Sequence, residues 1–221
     1  MNDRQVNQFI DYYELLIDWN NKINLTSIVV FEDVIIKHFI DSASILNFYN
    51  VEKCRSMIDV GTGAGFPGIP IKILVPDIEL VLLDSLNKRI NFLNEVIYKL
   101  GIDNCKAIHS RAEDLAILPE YREKFDLCVS RAVSNLSTLS EYCLPFVKTN
   151  GYFISYKSSD IDDEYNSSLN AIKKLNAKCE RIEKFEITNT DISRSFIFIK
   201  KNGKTNNKYP RKNNLPKKNP L

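Results

Sequence analysis

The sequence of 221 residues contains no apolar run that approaches the roughly 18 residues of a membrane-spanning helix. Its polar start, MNDRQVNQF, also lacks the basic and apolar regions of a secretory signal peptide. These absences argue against a membrane or secreted protein, and we expect a cytoplasmic one. The hydrophobic composition of 44% is sufficient for the core of one large domain, with or without an attached subdomain.

Cysteine is sparse, and its spacing suits neither a disulfide framework nor a zinc site. The five cysteines form no C-x-x-C pair: Cys54, Cys105, Cys128, Cys143 and Cys179. Because they are odd in number and widely separated, we expect reduced thiols. No cysteine is directly adjacent to His38 or His109 in the sequence, which argues against a Cys–His catalytic pair. The sequence therefore predicts no bound metal and no cysteine nucleophile.

Acidic residues are missing from the C-terminal end of the chain. From Ile192 to Leu221 there are nine Lys or Arg and no Asp or Glu, so the rest of the chain has a net charge of about −7. This asymmetry predicts a polyanionic partner such as nucleic acid; the alternative is a solvated, disordered tail. The candidate RNA-binding residues are Lys208, Arg211, Lys212, Lys217 and Lys218. After Gly203, the Asn, Lys and Pro content predicts no packed structure without a partner.

The most informative segment that is present is glycine-rich: MIDVGTGAGFPGIP, Met57–Pro70. Gly61, Gly63 and Gly65 follow an apolar strand, and glycine reaches positive φ easily, so the backbone can turn sharply and lie against a bound molecule. Pro67 suits the first turn of a helix, where a missing N–H matters little. The segment therefore predicts a strand, a cofactor-binding loop and a helix.

Two acidic residues accompany this loop. Asp84 ends the apolar run LVLLD, nineteen positions after Gly65, where a carboxylate can bind the hydroxyl pair of a ribose. The spacing from Gly63 to Gly68 also matches the dinucleotide fingerprint and by itself leaves NAD open. Asp59 favours S-adenosylmethionine, because its charge would repel a pyrophosphate and attract an ammonium or sulfonium group. Alternatively, Asp59 caps the loop backbone and the glycines only form a tight turn.

From Met57 onward, short β-type runs alternate with helical patterns, which is typical of a parallel sheet with helices on both faces. Strands are predicted near 57–60, 80–84, 105–109, 125–130, 151–157, 182–187 and 195–200. Helices are predicted near 67–75, 87–100, 136–147 and 162–175. Before the loop, residues 6–17 and 34–46 have helical periodicity, whereas the Asn-rich segment Trp19–Thr26 predicts irregular structure. We therefore expect an N-terminal helical extension (1–50), a core domain (51–201) and a basic tail (202–221).

In such a sheet, a ligand binds beyond the carboxyl ends of the strands, where the strand order reverses. This rule selects the loop 61–66, Asp84, the segment Arg111–Asp114 and the segment Ser130–Ala132. In the third of these, a carboxylate of Glu113 or Asp114 can accept a hydrogen bond from an adenine amino group, or can serve as an ordinary helix cap.

With these motifs in place, the chain resembles the RsmG (GidB) family of bacterial 16S rRNA guanine-N7 methyltransferases, and the resemblance extends from end to end. The glycine loop is shared with many methyltransferases, whereas Lys37–Ser42 (KHFIDS) and Tyr209–Lys212 (YPRK) are more specific. Further matches are Trp19-Asn20, Asn24-Leu25-Thr26, Leu83-Asp84-Ser85 and Lys218–Leu221. The chain departs from the family at Asn213–Leu215, where family members often have Gly and Ala.

The resemblance implies a class I, Rossmann-like methyltransferase with a central, mostly parallel sheet of seven strands. It implies S-adenosylmethionine held by Gly61, Phe66, Ala112–Glu113 and Arg131, and a guanine in the 530 loop of 16S rRNA as substrate, within the RNA or the small ribosomal subunit. Together with the residues argued above, the candidate cofactor-binding residues are Asp59, Gly61, Gly63, Gly65, Phe66, Asp84, Ala112, Glu113 and Arg131. We expect a monomer.

Guanine N7 has a free lone pair and no proton to lose, so it can attack a sulfonium methyl group without a general base. Catalysis then depends on placing N7 in line with the methyl group. Because N7 is obstructed in the deep major groove of A-form RNA, the base has to lie in a loop or turn out of its stack. The candidate catalytic residues are Arg131, His38 and Asp41, which we expect at the entrance to the RNA site; alternatively, His38 and Asp41 fasten the N-terminal helices to the sheet.

Two other functions stay open on the residues alone. One is an NAD-dependent oxidoreductase, which the dinucleotide spacing suggests and which Asp59 and the missing Tyr–Lys or His–Asp pair disfavour. The other is a non-catalytic RNA-binding protein that uses only the basic tail, and it predicts RNA binding without methyl transfer.

Overall fold

The computed structural model describes residues 1–131 and 134–221; Ala132, which ends the predicted ligand segment Ser130–Ala132, lies outside the described residues. The helices are α1 (Asp3–Ile23), α2 (Phe31–Val34), α3 (Asp41–Ala43), α4 (Gly68–Leu74), α5 (Asn87–Lys99), α6 (Ala112–Leu115), α7 (Leu136–Cys143), α8 (Asp162–Lys174) and α9 (Leu215–Lys218). The strands are β1 (Ser56–Val60), β2 (Glu79–Asp84), β3 (Cys105–His109), β4 (Phe125–Arg131), β5 (Val147–Ser158), β6 (Ala177–Glu186) and β7 (Ser193–Lys201). Within these described ranges, no helix combines the length and the hydrophobicity that a membrane crossing requires.

The strands form one sheet in the order β3-β2-β1-β4-β5-β7-β6. Strands β1 to β5 pair in parallel, whereas β7 runs antiparallel to both β5 and β6. The predicted seven-stranded, mostly parallel sheet with helices on both faces is therefore confirmed. Because β1 pairs with β2 on one side and β4 on the other, the strand order reverses there, and the carboxyl ends of β1 and β4 border a crevice suited to ligands.

The sheet separates two hydrophobic cores. Successive residues of β1 point to opposite faces, so Met57 packs into the core that contains side chains of α1, α4 and α5, and Ile58 packs into the core that contains side chains of α7 and α8. In β2, Leu82 packs into the same core as Met57 and Leu83 into the same core as Ile58, and both leucines are buried. The central strands are apolar throughout because both of their faces are covered.

Helix α1 extends through Trp19 to Ile23, so the irregular structure predicted for Trp19–Thr26 is wrong for its first five residues. The Trp19 ring packs against Phe92 with the ring centroids 5.7 Å apart, and the indole N–H donates a hydrogen bond to Glu95 at 3.0 Å. Both partners lie on α5. These tertiary contacts outweigh the low helix propensity of the Asn-rich sequence.

The second predicted N-terminal helix, 34–46, is helical but changes its pitch twice. A π-helical turn, Ile35–Ile40, joins α2 to α3, and a 3₁₀ turn, Ser44–Asn47, follows. Such π turns are rare and occur frequently at functional sites. This one contains His38 and leads directly into Asp41.

The tail packs against the domain, which corrects the prediction that residues after Gly203 lack packed structure. The side chains of Thr205 and Tyr209 are buried. The guanidinium of Arg122 donates hydrogen bonds of 2.9 to 3.3 Å to the backbone carbonyls of Thr205, Asn206 and Tyr209. The tail is ordered by a cation that belongs to the core domain, so the composition of the tail alone could not show it.

Candidate active site

A cavity of about 540 Å³ lies at the carboxyl ends of β1, β2, β3 and β4. Many of the predicted site residues line it: His38, Gly61, Gly63, Phe66, Asp84, Ala112, Glu113, Arg131 and Lys217. Other predicted residues are not part of its lining: Asp41, Asp59, Gly65, Lys208, Arg211, Lys212 and Lys218. The crevice selected by the strand order is therefore where most, but not all, of these residues meet.

The glycine loop exposes backbone to the cavity on one side and packs against the core on the other. Gly61, Gly63 and Gly65 have φ values of 72°, 61° and 95°. A Cβ added to Gly63 would meet no atom within 4 Å, whereas one added to Gly65 would approach Tyr12 Oη to 2.6 Å and Ile69 Cγ1 to 2.7 Å. Gly63 thus faces the cavity, and Gly65 is glycine because the core leaves no room for a side chain.

Asp59 lies under this loop and is fully buried. Its Oδ2 accepts hydrogen bonds from Thr62 Oγ1 at 2.6 Å and from the Gly68 N–H at 2.9 Å. Burial raises the pKa of Asp59 to about 7, and these two bonds offset part of that effect. Asp59 therefore caps the loop, as the alternative interpretation of the sequence holds; it is not part of the cavity lining, and the attraction of its charge for a cationic cofactor stays a prediction.

Asp84 connects the loop to the end of β2. Its Oδ2 accepts hydrogen bonds from the Gly63 N–H at 2.9 Å and from Arg89 Nη1 at 3.1 Å. Its Oδ1 accepts one from the Leu86 N–H at 2.9 Å. Because each carboxylate oxygen can accept two hydrogen bonds, Oδ1 can accept a further one from a ligand. Oδ2 can do so when the ligand replaces Arg89 as a donor.

Glu113 presents a buried carboxylate at the third strand end. It is only 4% exposed and lies in the first turn of α6. Its Oε1 is 3.8 Å from Arg111 Nη1, which is beyond hydrogen-bond distance, so the carboxylate keeps acceptor capacity for a ligand in the cavity. Asp114, the other acid considered from the sequence, is exposed.

Arg131, at the end of β4, is held by Asp41. Arg131 Nη1 donates to Asp41 Oδ2 at 2.9 Å, and Arg194 Nε donates to Asp41 Oδ1 at 3.0 Å. Asp41 is only 4% exposed, and a buried carboxylate is unfavourable unless it is paired. Here the two guanidinium groups balance its charge. Asp41 thereby fastens the N-terminal segment to β4 and β7, which is the structural alternative that the sequence offered for this residue.

His38 is a neutral imidazole in a defined tautomer. Arg131 Nη2 lies 3.2 Å from His38 Nδ1, and because a guanidinium can only donate, Nδ1 accepts. The proton is then on Nε2, which donates to Thr26 Oγ1 at 2.9 Å. Burial and the charge of Arg131 lower the pKa of His38 to about 4. The imidazole also stacks on Phe66 with the ring centroids 4.5 Å apart.

A second cavity, of about 480 Å³, adjoins the first. His38 and Arg131 line both cavities and so form the partition between them. Lys157 and Glu164 line the second cavity and form an ion pair of 2.6 Å. Lys157 Nζ also donates to the carbonyl of Ser134 at 2.7 Å.

Sequence reasoning missed several residues of these cavities: Asn214 and Tyr142 in the first, and Lys157, Glu164 and Arg194 in the second. A signal existed for Lys157, which stands near the carboxyl end of a predicted strand beside β4. For Arg194 and for the tail residue Asn214, no local motif was available. Within residues 1–131 and 134–221, no group of three or more His, Cys, Asp or Glu is arranged to hold a metal ion.

Known proteins match this chain over its whole length. A family model described as rRNA small subunit methyltransferase G (GidB) matches residues 5–193. A ribosomal RNA small subunit methyltransferase G of Clostridium novyi (strain NT) is 50% identical over 220 residues, which cover 100% of this chain and 90% of that protein. A protein with the same description in Lachnoclostridium phytofermentans is 49% identical over 221 residues, with coverage of 100% and 91%.

Solved structures with low sequence identity share the fold. TrmN from Thermus thermophilus has a TM-score of 0.55 and 12% identity, with coverage of 72% of this chain and 48% of that chain. TYW2 from M. jannaschii, solved in complex with AdoMet, has a TM-score of 0.57 and 15% identity, with coverage of 73% and 74%. These similarities confirm the Rossmann-like methyltransferase fold expected from the sequence.

Proposed function

The chain belongs to the family of rRNA small subunit methyltransferase G, and from this premise we propose that it methylates N7 of a guanine in the 530 loop of 16S rRNA. The enzyme is an S-adenosylmethionine-dependent rRNA methyltransferase, which sets aside the oxidoreductase and the non-catalytic RNA-binding alternatives. The observation that supports N7 as the acceptor is the partition between the cavities, where His38 and Asp41 are already hydrogen-bonded to Arg131 and neither is free to take a proton.

The first cavity suits S-adenosylmethionine. The open backbone at Gly63 leaves space for the ligand to approach the loop, while Asp59 holds that loop from below. Asp84 can accept hydrogen bonds from ribose hydroxyls, and Glu113 from the adenine amino group. When bound, the cofactor supplies a methyl group on a positively charged sulfur, which a lone pair can attack directly.

The paired state of His38 and Asp41 favours an acceptor that needs no deprotonation. His38 is neutral but has hydrogen bonds at both ring nitrogens, and Asp41 is bound by two guanidinium groups. Neither side chain is free to take a proton from a substrate. Guanine N7 requires no base, so its methylation matches what these residues can do.

The second cavity provides the polar groups that distinguish guanine from adenine. Arg131 and Lys157 are donors that can bind the O6 acceptor, and Glu164 can accept hydrogen bonds from N1–H and from the N2 amino group on the Watson–Crick edge of guanine. Adenine has an amino group in place of O6, so its N–H donors would face the donors of Arg131 and Lys157 and no hydrogen bond could form. The carboxylates of Asp41 and Glu164 also oppose the positive charge that the purine acquires when N7 is methylated.

The test is to map the methyl group. Purified protein, tritium-labelled S-adenosylmethionine and small ribosomal subunits from cells that lack the enzyme should yield N7-methylguanine at one position of the 530 loop. Label at another atom, or spread over many guanines, would overturn the proposal. As a structural check, Glu164→Gln should lower kcat/KM for RNA by about 10- to 100-fold, because hydrogen bonds to charged groups contribute about 1.5–3 kcal/mol.

A matched control for this variant is Asp162→Asn, which removes an exposed carboxylate at the start of the same helix. It should leave kcat/KM unchanged, and both variants should bind S-adenosylhomocysteine normally because neither residue lines the first cavity. Equal losses in the two variants would show that Glu164 acts only through general charge and not through base recognition.

We further propose that the enzyme acts as a monomer in the cytoplasm, on the small subunit or its RNA, and without a metal ion. Light scattering of the purified protein should give a mass near 25.5 kDa, and EDTA should leave methyl transfer unchanged. A stable dimer would contradict the proposed monomer. Loss of activity in EDTA that added Mg²⁺ restores, both with isolated RNA and with assembled subunits, would contradict the proposed independence from metal ions.

A further inference from the structure

The last helix of the chain, α9, borders the cofactor cavity. Asn214 and Lys217 line this cavity together with Tyr142 and Glu113. The Tyr142 hydroxyl donates to Asn214 Oδ1 at 3.3 Å. Burial, and then the nearby carboxylate of Glu113, raise the pKa of Tyr142 to about 12. These contacts bring the tail beside the acid that is expected to recognise adenine.

Buried anchors hold this part of the tail in position. The guanidinium of Arg211 binds both oxygens of the Glu141 carboxylate at 2.7 to 3.1 Å, and the Arg211 N–H donates to Glu141 Oε1 at 2.8 Å. Glu141 is 0% exposed. The hydroxyl of Thr138 donates to the carbonyl of Pro216 at 3.0 Å. Bidentate pairs of this kind are geometrically specific, so the position of α9 is well defined.

We propose that Asn214 and Lys217 bind the adenine end of the cofactor, so that the tail is part of the cofactor site. Because Asn214 Oδ1 accepts from Tyr142, its amide group keeps its N–H donors for a ligand, and the Lys217 ammonium has three. The adenine ring nitrogens are acceptors, and the adenine amino group is a donor that suits Glu113. The two tail residues and Glu113 thus offer complementary groups to one base.

This assignment changes the function expected for one lysine of the tail. The sequence groups Lys217 with the RNA-binding lysines; in the structure Lys217 and its neighbour Lys218 are both exposed, but only Lys217 lines the cavity. The proposal depends only on the cofactor of the family and not on the target guanine. It therefore stands or falls independently of where the methyl group is found.

The adjacent lysines provide a matched pair for the test. Lys217→Ala and Lys218→Ala remove the same charge from the same helix, and their affinities for S-adenosylhomocysteine can be compared by calorimetry on the full-length protein. Lys217→Ala should raise the Kd about tenfold, as expected for the loss of a hydrogen bond from a charged group, whereas Lys218→Ala should leave it unchanged. The same ratio should appear with adenosine as the probe.

Asn214→Gly is the second variant, because Asn214 has a φ of 58° and glycine keeps that backbone while removing the amide. It should also raise the Kd for S-adenosylhomocysteine, with a urea midpoint close to that of the wild type. Unchanged cofactor affinity in both Lys217→Ala and Asn214→Gly would overturn the proposal. So would a Lys217→Ala variant that loses RNA affinity in filter binding and retains the normal Kd for S-adenosylhomocysteine.

Discussion

Replacing Gly65 by alanine should destabilise the fold, whereas the same replacement at Gly63 should weaken cofactor binding. Both residues have positive φ, but only at Gly65 does a Cβ meet the core, at 2.6 Å from Tyr12 Oη and 2.7 Å from Ile69 Cγ1. Tyr12 cannot move aside easily, because it is fully buried and its hydroxyl donates to the carbonyl of Ala64 in the same loop. Gly65→Ala should therefore mainly lower the stability of the fold, and Gly63→Ala should mainly lower the affinity for the cofactor.

The magnitudes follow from two separate effects. A left-handed backbone disfavours a non-glycine residue by about 1–2 kcal/mol, and overpacking a filled core costs about 1–3 kcal/mol. Gly65→Ala combines both effects, so its free energy of unfolding should fall by about 2–5 kcal/mol. Gly63→Ala has only the first effect, about 1–2 kcal/mol, and its methyl group occupies space that the ligand needs.

Urea unfolding followed by the fluorescence of Trp19, the single tryptophan, measures these stabilities. Calorimetric titration with S-adenosylhomocysteine measures the affinity, and Gly63→Ala should raise the Kd at least about tenfold, or about 1.4 kcal/mol. If the two variants lost equal stability, or if Gly63→Ala bound S-adenosylhomocysteine normally, the orientation of the loop described above would be refuted.

The ionisable groups around the loop and the partition lead to further expectations. The native pKa of Asp59, about 7, lies above its value of 3.8 in the unfolded chain, so its stabilising contribution is present at low pH and is lost as pH rises through about 7. Thermal scans between about pH 5 and 8 should show this decline in the wild type and a smaller one in Asp59→Asn; identical slopes would contradict it. The pKa of His38 is lowered from 6.5 to about 4, so the rate of methyl transfer should not change with pH between about pH 6 and 8. A pH–rate profile with an inflection near 6.5, absent in His38→Gln, would contradict the assignment of a neutral imidazole. Arg131→Lys keeps the charge but loses the planar fork that binds both Asp41 and His38, so kcat/KM should fall about 10- to 100-fold, and a variant with normal kcat/KM would show that charge alone suffices.

The predicted site residues of the strand ends, which the structure brings to the lining of the first cavity, lie within single strand–loop–helix units. Asp84 ends β2, and Gly63 and Glu113 lie in the segments that follow β1 and β3, so the rule for the carboxyl ends of parallel strands brings them to one edge. Asp59 was harder to assign, because a carboxylate at that position can either face a ligand or cap the loop from beneath. Only the fold, in which the Gly68 N–H returns to Asp59, distinguishes the two.

The parts that the sequence does not predict depend on contacts between distant segments. Arg194 reaches the second cavity because β7 runs antiparallel to β5 and pairs Arg194 with Ser158, at the carboxyl end of β5. The tail is ordered by Arg122 and Glu141, which lie roughly 70 to 90 positions earlier, so its own composition suggests disorder. A single sequence contains no direct record of such pairings.

The partition formed by His38 and Arg131 has a consequence for the speed of the catalytic cycle. The side chains of His38 and Arg131 line both cavities, which under the proposed function hold the methyl donor and the guanine. Side-chain rotations are far faster than the microsecond-to-millisecond movements of whole domains. If the proposed placement of the two substrates is correct, we expect the methyl group and the base to meet without a large closure of the enzyme, and we expect the exchange of the ribosomal partner to limit the number of turnovers per second.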